Sequence, residues 1–172
     1  ITFRAIEVLN KVHICASEDT RISSVLFKKY NINTKLISYH KFSDKSKVNK
    51  LIDVLKSGKD IALISDAGTP LISDPGQFLV EAAIENQIRI TPIPGATSVI
   101  TALSVSGFND KFLFYGFLPK TTMELEKVLN ILSTNNYTQV FFLPANKINF
   151  YIKGFKKFFS GRKILIAREI TK

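Results

Sequence analysis

Apolar residues recur at helical spacing through Thr2–Val12 and then close up into a short strand at His13–Ala16. The period keeps switching further along. Thr20–Tyr30 predicts a helix, Lys35–Tyr39 a strand, and Lys45–Ser57 a helix closed by Gly58. The unbroken apolar run Ile61–Ile64 predicts a strand buried on both faces. Pro75–Asn86 predicts a helix with proline in its first turn, followed by a strand at Arg89–Ile93, a Pro94-Gly95 turn and a helix from Thr97 to about Ser106. Beyond Gly107 come an aromatic strand at Phe112–Phe117, a helix at Met123–Leu132, a polar loop at Ser133–Tyr137 and a strand at Gln139–Leu143. A helix at Ile148–Phe159, ending at Gly161, and a strand at Lys163–Ala167 complete the pattern, which contains no internal repeat. Strands alternating with helices over short connections predict an α/β fold with a mostly parallel sheet covered by helices. A division near residue 110 gives two small α/β domains, 1–110 and 111–172.

Composition supplies a core and suggests a partner. Of 172 residues, 45% are apolar, enough to bury a proper interior, and 24 Lys+Arg against 14 Asp+Glu leave a formal charge of +10. Residues 20–50 and 147–172 each carry +7, and between them residues 51–110 carry −4 and 111–146 carry +1. Two basic segments flanking an acidic middle fit either solvated lysine-rich helix faces or a cleft that tracks a phosphate backbone. The single cysteine, Cys15, excludes an internal disulfide, and two histidines, His13 and His40, argue against a His/Cys zinc site. No apolar run approaches the roughly 20 residues that span a bilayer, and the start lacks a signal-peptide pattern, so a cytoplasmic location is expected. Beginning at Ile1 and stopping in mid-pattern at Lys172, the sequence reads as a fragment lacking a first strand and a C-terminal end.

Four segments carry chemistry. Ser65-Asp66-Ala67-Gly68-Thr69-Pro70, continuing through Asp74-Pro75-Gly76, follows the apolar strand at its carboxyl end, where open α/β sheets bind ligands. Its glycines permit close approach and its prolines stiffen the loop, which suits main-chain recognition of a flat ligand, while Asp74 ahead of Pro75 also reads as a helix cap. Pro94-Gly95-Ala96-Thr97-Ser98 places small hydroxyl residues at the opening of a helix, as caps or as contacts to a carboxylate or ribose. Glu18-Asp19-Thr20-Arg21 puts two carboxylates and an arginine at a strand end, able to accept a proton, orient a hydroxyl and grip a phosphate. The structural alternative has Asp19 capping the next helix and Arg21 paired with Glu18. Arg168-Glu169-Ile170-Thr171-Lys172 repeats the mixture after the last expected strand. Walker, dinucleotide-binding and nucleophile-elbow signatures are absent.

Ile1-Thr2-Phe3-Arg4-Ala5, the Glu18, Ser65 and Asp74 segments, Pro94-Gly95-Ala96, Ser106-Gly107, Gly116-Phe117-Leu118-Pro119 and Arg168–Lys172 occur in an order and spacing that resemble the ribosomal RNA small-subunit methyltransferase I family, of the tetrapyrrole-methylase superfamily. The resemblance covers essentially the whole chain. It implies two α/β domains of the tetrapyrrole-methylase type with the cofactor in the cleft between them. It also implies S-adenosylmethionine-dependent methylation of the ribose 2′-hydroxyl of a cytidine in 16S ribosomal RNA near the decoding centre. Carried over by motif, Asp66, Ala67 and Gly68 contact the cofactor largely through backbone, Thr97 and Ser98 line its site, and Leu143 faces it from the second domain. Relatives of this fold often form homodimers. Two departures stand out: the family's opening strand and Gly-Asn-Leu-Gly-Asp loop are missing, and Leu143-Pro144-Ala145-Asn146-Lys147 replaces a Glu-Ser-Pro-His-Arg-like stretch.

An in-line methyl transfer needs alignment and a proton acceptor for the ribose hydroxyl. Asp19 or Glu18 is the expected base, with Lys172 or Arg168 steadying charge or holding the adjacent phosphate. Arg21, Lys28, Lys29, Lys153, Lys156 and Lys157 are the expected RNA contacts, while Tyr151 and Phe155 are expected in the core. The competing readings are a tetrapyrrole or diphthine-type methylase on the same fold and an RNA-binding protein that has lost methylation.

Overall fold

In the computed structural model, which describes residues 1–41 and 43–172, helix α1 (Phe3–Lys11) starts where the Thr2 hydroxyl accepts the amide of Ala5 at 3.2 Å. Strand β1 (Ile14–Ser17), helix α2 (Thr20–Lys29), strand β2 (Lys35–Ser38), helix α3 (Lys45–Lys56), strand β3 (Ile61–Ile64) and helix α4 (Gln77–Glu85) follow. Asp19 caps α2 and Asp44 caps α3, each accepting a backbone amide at the first turn. The three strands form a parallel sheet in the order β2-β1-β3, with Ile14 level with Lys35 and Ile61, and Ser17 level with Ser38 and Ile64.

The central strand is β1, and all four of its residues are buried. Alternation sends Cys15 to one face, against Leu9, Phe27 and Ile32 from the α1/α2 side, and Ala16 to the other, against Val48, Leu51, Ile52, Leu79 and Ala83 of α3 and α4. Burial pushes the Cys15 thiol up to about 12, which removes it from thiolate chemistry. The strand expected to be buried on both faces, Ile61–Ile64, is instead the half-buried edge. Its unbroken apolar run matches the interior pattern, but among the described residues it pairs with β1 alone, and Arg89–Ile93 forms no strand. Pro75 likewise lies ahead of α4 rather than in its first turn. The N-cap is Gly76 at φ +142°, and a Cβ there would come within 2.6 Å of Leu63 Cδ2 and 2.9 Å of Leu71 Cδ1.

The second part comprises α5 (Ser98–Ser104), β4 (Phe112–Phe117), α6 (Thr122–Ser133), β5 (Thr138–Phe142), one turn of 3-10 helix (Ala145–Lys147) and α7 (Ile148–Phe158). Strands β4 and β5 are parallel, with a bulge between Phe114 and Gly116 that glycine allows at φ +84°. Leu118, Leu125, Leu129, Leu132, Tyr151, Phe155 and Phe159 form its core, and the Phe141 ring stacks on those of Phe155 and Phe159. Tyr151 and Phe155 are therefore interior residues, as expected. The strand expected at Lys163–Ala167 is not formed: Ile164, Leu165 and Ile166 are exposed and have no ladder partner among the described residues. Contacts gather the chain into two compact units, Ile1–Thr97 and Ser98–Lys172, so α5 belongs with the second, whereas charge and pattern drew the line near residue 110.

Candidate active site

Since the strands of the first sheet all run one way, their carboxyl ends open on a single edge, and each delivers a loop there. From β1 come Glu18 and Asp19, from β2 Tyr39, His40 and Lys41, and from β3 the segment Ser65–Gly76.

Asp19 is fully engaged. Its Oδ1 accepts the Arg21 amide at 2.8 Å, and the Arg21 guanidinium reaches Oδ2 at 2.6 Å. Those hydrogen bonds hold the Asp19 carboxyl down at about 2, well under the usual carboxylate range. Arg21 thus pairs with Asp19 rather than with Glu18. The Asp19 amide in turn donates to Asp66 Oδ1 at 3.2 Å, tying the β1 loop to the β3 loop.

Glu18 behaves in the opposite way. Partial burial, then the neighbouring charges of Asp66 and Asp74, raise its pKa, with Lys41 as the opposing influence. Asp74 does not cap α4. Its side chain is hydrogen-bonded to Ser65, and its pKa is raised by burial first and by Asp66 next. Glu18, His40, Lys41, Ser73, Asp74 and Pro75 line an open concavity of about 400 Å³. Within the same loop Ala67 and Gly68 are exposed, Gly68 sits at φ +76°, and no heavy atom lies within 4 Å of where its Cβ would stand, so a flat group can lie against this backbone. Leu71 and Ser73 also adopt positive φ, at 71° and 69°. Among the described residues no group of acidic, histidine or cysteine side chains is arranged to hold a metal ion.

The remaining candidates lie elsewhere. Lys28 and Lys29 stand at the far end of α2, away from the carboxyl edge, and Lys28 lines a second concavity of about 410 Å³ with Asn31, Asn33 and Thr34. Thr97 ends the first unit and Ser98 begins the second as the first residue of α5, and in that second unit Leu143 follows β5, half-buried against the core. Lys153, Lys156 and Lys157 are exposed on α7 at helical spacing, with Lys157 Nζ 2.9 Å from Glu126 Oε1. Arg168 and Lys172 are exposed, and Lys172 Nζ lies 3.0 Å from Glu169 Oε1. The first unit therefore unites Glu18, Asp19, Arg21 and Asp66. It adds His40, Lys41 and Ser73, to which the sequence assigns no site role, and Asp74, whose position ahead of Pro75 also reads as a helix cap. The usable signal was positional, because His40 and Lys41 directly follow a parallel strand's carboxyl end.

A family model described as tetrapyrrole (corrin/porphyrin) methylases matches residues 1–172. Proteins named ribosomal RNA small subunit methyltransferase I are similar along the full chain: 41% identical in Micromonospora olivasterospora, 40% in Bacillus subtilis (strain 168) and 40% in Mycoplasmopsis pulmonis. The chain spans 55%, 59% and 78% of the length of these relatives. Among solved structures, a cobalt precorrin-4 methyltransferase of cobalamin biosynthesis superposes with a TM-score of 0.63 at 16% identity, covering 91% of this chain and 68% of that one. The methyltransferase CobJ gives 0.64 at 15% identity over 91% and 70%. At these identities the likeness is one of fold.

Proposed function

The chain belongs to the tetrapyrrole (corrin/porphyrin) methylase family, within its ribosomal RNA small subunit methyltransferase I branch, and from that premise we propose that it carries the methyl-transfer site of a ribosomal RNA methyltransferase. The reaction is S-adenosylmethionine-dependent methylation of the ribose 2′-hydroxyl of a cytidine in 16S ribosomal RNA near the decoding centre. Identity of about 40% along the full chain with proteins of that name carries the reading.

Bound S-adenosylmethionine supplies an electrophilic methyl group on a cationic sulfonium. The residues present suit it: an exposed loop backbone at Asp66-Ala67-Gly68, room at Gly68, and a concentration of carboxylates that favours a cation. The two compact units are read as the family's two α/β domains, and Thr97, Ser98 and Leu143 as further cofactor contacts carried over by motif. Glu18, rather than Asp19, serves as the proton acceptor, because its raised pKa makes it the stronger base of the two. The O–H bond of the ribose breaks and its proton passes to the Glu18 carboxylate. The ribose oxygen freed of its proton would then be the nucleophile towards the methyl group that bound S-adenosylmethionine would supply. Lys172 and Arg168 steady the developing charge, and Arg21, Lys28, Lys29, Lys153, Lys156 and Lys157 hold the RNA. A cytoplasmic homodimer acting on the small ribosomal subunit fits this role. Mapping 2′-O-methyl marks on ribosomal RNA from cells with and without the protein tests it: loss of a mark at one 16S cytidine is expected, and an unchanged map overturns the reading.

A further inference from the structure

The concavity at the carboxyl edge mixes charges in a way that a simple anion or cation site does not. Its lining brings Glu18 and Asp74 together with His40, Lys41 and Ser73. Lys41 is close enough to act electrostatically on Glu18. A free phosphate would meet two carboxylates here, and a free cation would meet a lysine. A nucleotide of RNA presents both partners at once, since its 2′-hydroxyl, a proton donor, sits on the carbon next to the one that bears the 3′-phosphodiester. The segment holding His40 and Lys41 is also anchored. The Tyr39 amide donates to Ser17 O at 2.6 Å, its buried hydroxyl is hydrogen-bonded to the backbone of Leu79, and the His40 amide donates to Ser43 Oγ at 3.0 Å.

We propose that this concavity seats the acceptor nucleotide, with Lys41 and His40 holding the phosphodiester 3′ to the methylated ribose and Asp74 standing beside Glu18 as a second acceptor that positions its 2′-hydroxyl. The proposal rests on the reading of the chain as an RNA 2′-O-methyltransferase and adds the residues that place the substrate. Phosphate contacts position a nucleic acid without reading its sequence, so Lys41 acts on affinity and Asp74 on turnover.

The test uses 16S ribosomal RNA from cells lacking the protein. Its retention is measured without cofactor, and kcat and KM are measured with it, for the wild type, Lys41→Ala, Lys41→Arg, Asp74→Asn and Lys56→Ala. Lys56 lies in the last turn of α3, at the opposite end from the site, and serves as the control. Lys41→Ala is expected to weaken RNA retention and raise KM for RNA by about tenfold, Lys41→Arg to restore most of it, and KM for S-adenosylmethionine to stay within about twofold. Asp74→Asn is expected to lower kcat while leaving RNA retention intact. Lys41→Ala retention equal to that of the wild type and the Lys56→Ala control, with methylation present, overturns the phosphate seat and leaves the proposed function standing. Retention that depends on Lys41 without any methylation of the RNA overturns the proposed function and keeps the seat. Undiminished kcat in Asp74→Asn removes Asp74 from the proposal.

Discussion

Glu18 and Asp19 are adjacent carboxylates with opposite acid strengths, and their surroundings divide the work between them. Asp19 is a structural acid. Its folded pKa of about 2 lies below the ordinary 3.8, so the stability it contributes is present above pH 3.8 and is lost as the pH falls towards 2. Asp19→Asn is expected to lower the thermal midpoint at neutral pH, with the deficit shrinking between pH 3.8 and about 2 when melting is followed by circular dichroism. A deficit that does not change with pH would show that the ion pair with Arg21 is idle. Glu18 and Asp74 carry the reverse sign: ionising them weakens the folded state as the pH rises above the ordinary carboxylate range, a cost that functional sites commonly retain. The sequence placed both acids of the Glu18-Asp19 pair at a strand end. It could not tell them apart, because which one Arg21 meets depends on the turn geometry of α2.

Helix α7 shows what an element needs beyond its pattern. Gly154 sits in its middle, where glycine costs roughly 1 kcal/mol of helix propensity relative to alanine. The reason is α6: a Cβ on Gly154 would stand 2.8 Å from Leu129 Cδ1, and Leu129 is fully buried. Gly154→Ala is expected to destabilise the second unit by about 1–3 kcal/mol through overpacking, despite the gain in propensity, as read from denaturant midpoints. Equal or higher stability would mean that the α6–α7 contact yields easily. The helices were legible from period and caps, and β1, β2, β4 and β5 from short apolar runs. Arg89–Ile93 and Lys163–Ala167 have the composition of strands but no ladder partner here, and composition alone does not supply one. The same limit explains β3, whose apolar run records an interior environment that an edge position only half provides.

Across the whole molecule the +10 charge is unevenly available. Of the six residues first assigned to RNA and the Lys41 of the proposed phosphate seat, Arg21 and Lys157 already face carboxylates, which leaves Lys28, Lys29, Lys41, Lys153 and Lys156 as the main sources of counterion release. On single-stranded RNA the logarithm of the binding constant should fall with the logarithm of salt at a slope of about −3.5, rather than the roughly −5 of seven full contacts. A flat response in a titration with potassium chloride would remove the charge argument. Charge bookkeeping along the chain could locate the two basic segments but not these pairings, because Glu126 and Lys157 meet only when α6 packs on α7. One further property follows from the hydrogen bond between the Asp19 amide and Asp66 Oδ1, which joins residues 47 positions apart. Whatever immobilises the loop after β3 also fixes the entry to α2, and thermodynamic reciprocity requires the favour to be returned. Ordering of either loop is therefore favoured by ordering of the other, and to the same degree.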